Sequence, residues 1–240
     1  MSNMQSINFL TAHRIVWYLN LRGIPYTQCV RPYLANYLIF PTDMLQLQPP
    51  ILPRPDVAAV GTSYRRIPVV AIGRDIYNDT RLIIQKLETL YPSQRKISSS
   101  TRAGQAQERQ LEQWIIDGGI FARASQLIPS SMPLLRDPKF TKDREDYSGR
   151  PWSKEAVDRN RPEALVEIRA AFDVLETLLL ADGKEWIAET DGPGLADIEG
   201  GFVLFLYPCR SFSFLHFGLR STIGSPYSFP FGTLLQDKVC

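Results

Sequence analysis

The sequence predicts an α/β domain followed by an all-α domain, and three observations lead to this fold class. Residues 67–84 have the pattern of a strand, a tight turn, a short strand and the start of a helix. Residues 92–104 are rich in serine and cationic side chains and hold few apolar anchors, which is typical of a linker. Beyond that linker, apolar residues recur at helical spacing.

The chain is predicted to open with a strand, a helix and a second strand. Residues 14–22 carry apolar residues at helical spacing, and Gly23 follows as a residue that often ends a helix. Strand-like runs lie on either side, at residues 7–10 and 24–30. We therefore expect a β-α-β unit with the right-handed connection that such units adopt.

The segment between this opening and the next helix is rich in proline. We expect residues 31–66 to form a loop with one short helix near residues 56–61. The helix over residues 79–91 is predicted from its amphipathic pattern. Its apolar face is expected to hold Leu82, Ile83, Leu87 and Leu90.

These patterns divide the chain into a domain over residues 1–91, a linker over 92–104 and an all-helical domain over 105–240. The helices of the second domain are expected at residues 105–127, 162–181 and 195–207, and residues 129–151 are expected to form an irregular loop.

The tail, residues 208–240, is crowded with Phe and Ser and shows no steady period. Either its aromatic side chains anchor it around the helical domain, or they wall an apolar substrate pocket.

Composition excludes several classes of function. The 240 residues are 44% hydrophobic and 22% charged, with a formal net charge of +2 and no basic run long enough for a nucleic-acid partner. The three cysteines form no CxxC pair, which favours a reducing compartment, and no metal site is predicted. Residues 1–10 do not have the pattern of a signal peptide, and no apolar stretch is long enough to cross a membrane. We expect a cytoplasmic protein with no membrane partner.

Two neighbouring features point to a ligand. Pro68 opens a strand and has no N–H for a ladder, so the edge beside it is left for another partner. Asp79 and Thr80 lie at a predicted helix start, where free N–H groups and the helix dipole favour a carboxylate. The same pair would also serve as a plain helix cap. A peptide-like ligand with an extended backbone and a free α-amino acid end, such as glutathione, fits both features.

Residues 7–207 resemble the cytosolic glutathione S-transferases. The resemblance is strongest in two places. One is the stretch from Tyr64-Arg65-Arg66-Ile67-Pro68 through Ile76-Tyr77-Asn78-Asp79-Thr80-Arg81, and the other is Gly192-Pro193-Gly194-Leu195-Ala196-Asp197-Ile198. It implies a thioredoxin-like N-terminal domain, a C-terminal helical bundle and a homodimer. The run Leu52-Pro53-Arg54-Pro55-Asp56 and the run Ile72-Gly73-Arg74-Asp75-Ile76-Tyr77 are similar to a filamentous-fungal branch found in secondary-metabolite pathways such as pseurotin biosynthesis.

The resemblance also implies how glutathione is held. Pro68 matches the family's cis-proline, and the backbone of Ile67 would pair with the cysteinyl part of the ligand. Thr80 would bind the γ-glutamyl carboxylate through its hydroxyl and backbone N–H, and Asp79 would attract the α-amino group. Arg66 stands where the family often has Lys, as a partner for the glycyl carboxylate. Asp197 matches a structural capping residue, although Gly194 replaces the usual Ser or Thr.

The group that would stabilise the ligand's thiolate is less clear in this sequence. By resemblance, the usual catalytic position falls on Phe9, which offers no hydrogen-bond donor. Thr11 is the nearest hydroxyl and is our candidate for the thiolate donor, while His13 at a helix start is more typical of a surface or capping residue. The N-terminus of the first helix would also favour a thiolate without any side chain.

The electrophile is expected between the two domains, against the long helix that follows the linker. Phe121 and Arg123 are the candidate substrate-binding residues, with Arg123 polarising a carbonyl oxygen or, alternatively, forming an exposed salt bridge. Trp114 is expected in the helical core. We expect an enzyme that adds glutathione thiolate to an apolar polyene or unsaturated carbonyl compound, as conjugation or as reversible addition that isomerises a double bond. The alternative is a non-catalytic glutathione-binding or partner-binding protein of the same fold.

Overall fold

The computed structural model describes residues 10–31, 35–40, 44–45, 58–59, 61–64, 66, 68–131, 133–188 and 190–204. The described residues do not include residues 7–9 of the expected first strand, among them Phe9. They also do not include Ile67 or the aromatic tail. In the N-terminal part the elements are α1 Leu10–Arg22, β1 Thr27–Arg31, β2 Ala35–Phe40, β3 Met44–Leu45, β4 Val69–Ile72, β5 Asp75–Asn78 and α2 Thr80–Leu90.

The strands form two small antiparallel sheets. Strand β2 lies between β1 and β3, with Thr27 opposite Ile39 and Ile39 opposite Leu45. Strands β4 and β5 form a tight hairpin whose turn contains Gly73 at φ 62°, a conformation that glycine adopts without a steric penalty. The loop expected over residues 31–66 is therefore wrong at β2 and β3. These strands are stabilised by pairing with neighbours, which local composition does not report.

The predicted helix that opens the chain is present and begins earlier than expected, because Leu10 is helical and does not belong to a strand. It ends at Gly23, whose φ of 67° and N–H bond to the Asn20 carbonyl oxygen stop the helix as predicted. Strand β1 confirms most of the strand expected at residues 24–30, although it pairs with β2 in the antiparallel sense.

Helix α2 confirms the prediction over residues 79–91, but its apolar face is rotated from the expected one. Ile83, Ile84 and Leu87 are buried, whereas Leu82 is 49% exposed and Leu90 is 42% exposed. The error arises because both neighbours of Ile83 are also apolar, so the period alone does not fix which of them faces the core.

In the helical part the elements are α3 Arg102–Ile116, α4 Ile120–Ser125, a 3₁₀ turn Pro133–Arg136, α5 Pro138–Ser148, α6 Lys154–Val174, a π turn Leu175–Leu179, a 3₁₀ turn Ala181–Gly183 and α7 Leu195–Leu204. The helix expected over residues 105–127 begins three residues earlier and breaks before Gly119, which has φ 88°. The irregular loop expected over residues 129–151 is wrong at α5. That helix has Asp137 as a capping acceptor and Pro138 in its first turn, and it ends at Gly149 with φ 66°.

Helix α7 connects the two parts of the molecule. It packs against α1 and α3. Its Ile198 belongs to the core that includes Ile15 and Leu87, whereas its Ala196 belongs to a second core with Leu111 and Leu175. The N-terminal and helical parts thus share a buried helix. Across the described ranges, each helix is too short or too polar to cross a membrane.

Candidate functional site

The hairpin of β4 and β5 brings the two predicted ligand features together. Val69 lies opposite Asn78 in the antiparallel register. Pro68 immediately precedes the first strand and Asp79 immediately follows the second, so these residues meet at one end of the hairpin. Pro68 is buried, while Asp79 is exposed. A buried proline and an exposed carboxylate therefore frame the start of α2.

Asp79 has an unusual backbone conformation. Its φ of 72° makes it the one non-glycine residue with positive φ among those the structure describes, and its ψ is 126°. Its Oδ1 accepts a hydrogen bond from the Arg81 backbone N–H at 2.9 Å, so the residue caps α2. Such a conformation costs about 1–3 kcal/mol for a residue with a Cβ and is found mainly at functional sites.

The Thr80 side chain is held from α1. Arg14 donates from Nη1 to Thr80 Oγ1. A hydroxyl group has one proton and two lone pairs, so a hydrogen bond received from Arg14 leaves the proton of Thr80 available for another acceptor. Thr80 is half-buried at the first position of α2, where backbone N–H groups have no partner within the helix.

Arg14 itself is surrounded by carboxylates from the helical part. Its Nη2 lies 2.6 Å from Glu112 Oε1 on α3, and its Nε lies 2.9 Å from Glu199 Oε1 on α7. All three side chains are almost completely buried. Burial raises the pKa of Glu199, and the charge of Arg14 opposes that rise. The cation that holds Thr80 is thus fixed by two buried acids.

Arg81 extends this network to the surface. Its Nε lies 3.3 Å from Glu112 Oε1, and its Nη2 lies 2.5 Å from Asp117 Oδ2. Arg81 therefore connects the start of α2 to Glu112 within α3 and to Asp117, the residue that follows the last turn of α3.

Arg66 lies beside the same end of the hairpin. Its guanidinium carbon is 5.5 Å from the centre of the Tyr147 ring on α5. Burial and the charge of Asp79 raise the pKa of the Tyr64 hydroxyl, and a hydrogen bond with Arg66 lowers it. Tyr64, Arg66, Asp79 and Tyr147 therefore form one cluster of facing side chains.

One buried polar atom at this site has no protein partner. Asn78 Oδ1 is the single buried side-chain nitrogen or oxygen without a hydrogen bond within the described part of the chain. It belongs to the residue directly before Asp79. A buried acceptor that lacks a donor costs about 1–3 kcal/mol, so it is an independent indication that a ligand donor belongs nearby.

The expected thiolate donor is only partly placed. Thr11 is the second residue of α1, but its side chain is outside the described residues, as are Phe9 and Ile67. His13 is half-buried, with its ring centre 5.9 Å from that of Trp17. The role of Thr11 stays a prediction.

The expected electrophile-binding residues lie on α4. Arg123 Nη2 is 3.0 Å from Glu163 Oε1 and 2.7 Å from Glu167 Oε1, which is the salt-bridge alternative raised by the sequence. Phe121 and Trp114 pack against the core that contains Ile115 and Ile168, as expected for Trp114. A substrate role for Phe121 and Arg123 stays a prediction.

Sequence reasoning missed three of the charged residues that build the site: Arg14, Glu112 and Glu199. Arg14 and Glu199 are charged residues among apolar neighbours in sequence, and charged residues are rarely buried without a partner. That signal was present for Arg14, between Ala12 and Ile15, and for Glu199, next to Ile198. Which buried cation meets which buried acid depends on the packing of three helices and has no local signal.

Two family models match separate parts of the chain. Residues 10–90 match the family model described as "Glutathione S-transferase, N-terminal domain". This match supports the glutathione S-transferase superfamily for the N-terminal part of the chain. Residues 123–207 match a model described as "Domain of unknown function (DUF7962)". No curated protein matches the chain.

Two solved structures are similar to this chain at low sequence identity. The beta-etherase LigF from Sphingobium sp. strain SYK-6 is 15% identical over 57% of this chain and 61% of its own, with a TM-score of 0.41. The chain therefore spans less than two thirds of the length of that protein. The glutathione transferase GSTFuA3 from Phanerochaete chrysosporium is 16% identical over 85% of this chain and 80% of its own, with a TM-score of 0.46.

The predicted fold class is confirmed. The family match covers a glutathione S-transferase N-terminal domain with a small sheet, and the described residues that follow it are mostly helical. The boundaries of the two domains and of the linker stay predictions.

Proposed function

We propose that this chain binds glutathione and adds its thiol to an unsaturated, electrophilic small molecule. The observation that carries the proposal is the meeting of Pro68 with Asp79 and Thr80 at one end of the β4–β5 hairpin, within a segment that matches the glutathione S-transferase N-terminal family. The positive φ of Asp79 and the unpartnered oxygen of Asn78 support a ligand at the same place.

The described residues fit the chemistry of the tripeptide. Thr80 accepts from Arg14, so its own proton can be donated to the γ-glutamyl carboxylate. The exposed carboxylate of Asp79 can attract the α-amino group, and Arg66 offers a guanidinium to the glycyl carboxylate. The backbone of Ile67 would pair with the cysteinyl part. Each charged end of the ligand thus has a side chain of suitable chemistry: a hydroxyl group for one carboxylate, a carboxylate for the ammonium group and a guanidinium for the other carboxylate.

Bound glutathione supplies a nucleophilic thiol. The N-terminus of α1, with Thr11 as its nearby hydroxyl, would favour the thiolate form through N–H groups and the helix dipole. Phe121 and Arg123 are proposed to contact an apolar polyene or unsaturated carbonyl compound. The outcome would be conjugation, or reversible addition that gives trans–cis isomerisation in fungal secondary metabolism. We further propose a cytoplasmic homodimer.

The second candidate is a non-catalytic glutathione-binding or partner-binding protein. It is favoured by Phe9 at the position where the family has its thiolate donor. The two candidates differ in turnover and not in binding. The second candidate would be favoured if the chain is retained on immobilised glutathione but adds the thiol to none of the electron-poor alkenes tested. Slow turnover of a conjugated enone would favour the first.

The first test is calorimetric titration of the full chain with glutathione. We expect binding at millimolar or lower concentration, together with feeble activity toward an aromatic halide, since no side-chain activator is assured. Absence of binding at millimolar concentrations of glutathione would overturn the proposed enzyme and its mechanism, and would leave only a partner-binding protein of the same fold.

Replacing Thr80 by Ala is expected to weaken glutathione binding by about 1–3 kcal/mol, because a charged carboxylate loses a hydrogen bond. Thr80→Ser keeps the hydroxyl and is the matched control, with affinity close to that of the original chain. Urea unfolding of both variants measures how much stability is lost with the hydrogen bond from Arg14, so that this loss can be distinguished from a direct effect on glutathione binding. An unchanged dissociation constant for Thr80→Ala would show that Asp79 and Thr80 are only a helix cap.

A further inference from the structure

We propose that Tyr147 is a positioning residue that holds the Arg66 guanidinium against the hairpin end, and so sets the preference for ligands that carry the glycyl carboxylate. The inference rests on the proposed binding of glutathione and adds a specificity determinant from the helical part of the chain.

The geometry places Arg66 between two tyrosines from distant parts of the sequence. The guanidinium carbon lies 5.5 Å from the centre of the Tyr147 ring, within the range of a cation–π contact. Tyr64 is two residues before Arg66, and the charges of Arg66 and Asp79 both act on its hydroxyl, shifting its pKa in opposite directions. Arg66 is an exposed residue, so without such partners its long side chain would sample many rotamers.

A stacked guanidinium remains able to bind an anion. When a guanidinium stacks on a ring, the ring faces the guanidinium plane, whereas the N–H groups point outward from the edge of that plane. A carboxylate binds to this edge with two parallel hydrogen bonds. The Tyr147 ring can therefore restrict the orientation of Arg66 without competing for the ligand.

Helix α5 gives the Tyr147 ring a firm support. Phe140 is buried one turn before Arg144 and contacts the Trp152 ring edge-on, with 6.1 Å between ring centres. The Trp152 indole donates to Ser148 Oγ at 3.0 Å, and its backbone N–H donates to Glu145 Oε1 at 3.0 Å. The end of α5 that carries Tyr147 is thus tied to the segment that follows it.

The other charge near the Tyr147 ring is already balanced. The guanidinium carbon of Arg144 lies 5.7 Å from the same ring centre, and its Nη2 is 2.7 Å from Asp143 Oδ2. Arg66 contacts the Tyr147 ring, and the nearby Asp79, whose charge acts on Tyr64, is assigned above to the ligand's ammonium group. Arg66 is therefore the cation of this pair that is placed to receive a ligand anion.

The test compares glutathione with γ-glutamylcysteine, which lacks the glycyl residue and its carboxylate. Calorimetric titrations would use the full chain and the variants Tyr147→Ala, Tyr147→Phe and Arg66→Ala. Lys142→Ala is the control, because Lys142 is an exposed residue of the same helix that pairs with Asp146 at 2.7 Å. Circular dichroism checks that each variant is folded.

For Tyr147→Ala we expect the dissociation constant of glutathione to rise about 2–5-fold while that of γ-glutamylcysteine stays unchanged. Tyr147→Phe keeps the ring and should restore the original value. In an Arg66→Ala background, Tyr147→Ala should have no further effect. A merely structural role for Tyr147 would weaken both ligands alike.

Equal weakening of the two ligands, or no weakening of glutathione in Tyr147→Ala, would overturn the inference while leaving the proposed function in place. Failure of the unsubstituted chain to bind either ligand would overturn the proposed function and this inference with it. If Tyr147→Ala does not fold, Tyr147→Leu takes its place, because leucine also removes the ring face; the inference requires that this variant lose part of the preference for glutathione and that Tyr147→Phe keep it.

Discussion

At the scale of single residues, the carboxyl group of Asp197 caps a helix, although its burial disfavours the charged form. It is the third residue of α7, where its Oδ2 accepts from the Gly194 backbone N–H at 2.8 Å and its Oδ1 from the Ile187 backbone N–H at 2.9 Å. This is half of a capping box, since Gly194 has no hydroxyl to return the bond. Burial raises the pKa of Asp197 to about 6, even though both hydrogen bonds lower it.

The raised pKa predicts how this residue contributes to stability as pH changes. In the unfolded chain the carboxyl group has its ordinary pKa of 3.8, so between that pH and about 6 the folded state binds more protons than the unfolded state. The contribution of Asp197 is therefore fully present below pH 3.8 and is lost as pH rises through about 6. At about 1.4 kcal/mol for each pKa unit, the loss is on the order of 2–3 kcal/mol.

The measurement is urea unfolding of the original chain and of Asp197→Asn at several pH values from 4 to 7. The difference between their free energies of unfolding should shift in favour of Asp197→Asn as pH rises. A difference that is constant over this range would contradict the raised pKa. Asp197 caps α7 and is not one of the proposed ligand-binding residues. Asp197→Ala should therefore lower stability more than it alters ligand affinity.

At the scale of elements, the start of α3 depends on the segment before it. Thr101 caps the helix, with its Oγ1 accepting from the Gly104 backbone N–H at 3.0 Å. Glu108 reaches back to the Ser99 backbone N–H at 2.6 Å and to the Ser98 hydroxyl at 2.5 Å. A Cβ added at Gly104 would overlap the Ser99 side chain. The glycine is thus required for close approach and not for an unusual backbone conformation.

Gly104→Ala is accordingly expected to destabilise the protein by about 1–3 kcal/mol, although alanine is about 1 kcal/mol better than glycine in a helix. Gly201→Ala in α7 is the matched control, since an added Cβ would meet only the Trp17 ring, at 3.8 Å, and should stabilise. Adding Ser99→Gly to Gly104→Ala should recover part of the loss. Thermal unfolding of the three variants checks these signs, and a stabilised Gly104→Ala would refute the overlap.

At the scale of the whole molecule, the buried charges around Arg14 join the N-terminal and helical parts. Arg14 comes from α1, Thr80 from α2, Glu112 from α3 and Glu199 from α7. A buried pair is strongly destabilised when one partner is removed, because the remaining charge is left without compensation. We therefore expect the two parts to unfold together in one transition.

Arg14→Met is expected to lower the free energy of unfolding by about 3–5 kcal/mol, since it leaves Glu112 and Glu199 without their shared cation. The matched control is Arg123→Met, which also removes a cation from two glutamates. Glu163 and Glu167 are 65% and 40% exposed, so this variant should cost about 1 kcal/mol or less. Denaturant unfolding followed by circular dichroism compares the two, and equal losses would contradict the role of burial.

The sequence allowed some of these features to be predicted and concealed others for physical reasons. The β4–β5 hairpin and α2 were predictable because their turn, cap and period are local signals. The β2 and β3 strands were not, since cross-strand pairing stabilises them in a proline-rich segment. Helix α5 was hidden by its polar surface, with Phe140 as one of few buried anchors. Asp79 and Thr80 were predictable from the local pattern of a helix start. The contacts of Arg14 with Thr80 and Glu199 were not, because these two residues are 119 positions apart and meet only in the assembled fold.

Arg22 contributes a constraint of another kind. Its buried guanidinium donates from Nε to the Arg95 carbonyl oxygen at 2.9 Å and from Nη2 to the Tyr91 carbonyl oxygen at 2.6 Å, and Tyr18 and Glu88 occupy its remaining edge. The two acceptors at Tyr91 and Arg95 are main-chain carbonyl oxygens, which every amino acid possesses. Substitution at positions 92–96 should therefore be tolerated freely, while insertion or deletion of a single residue there should not.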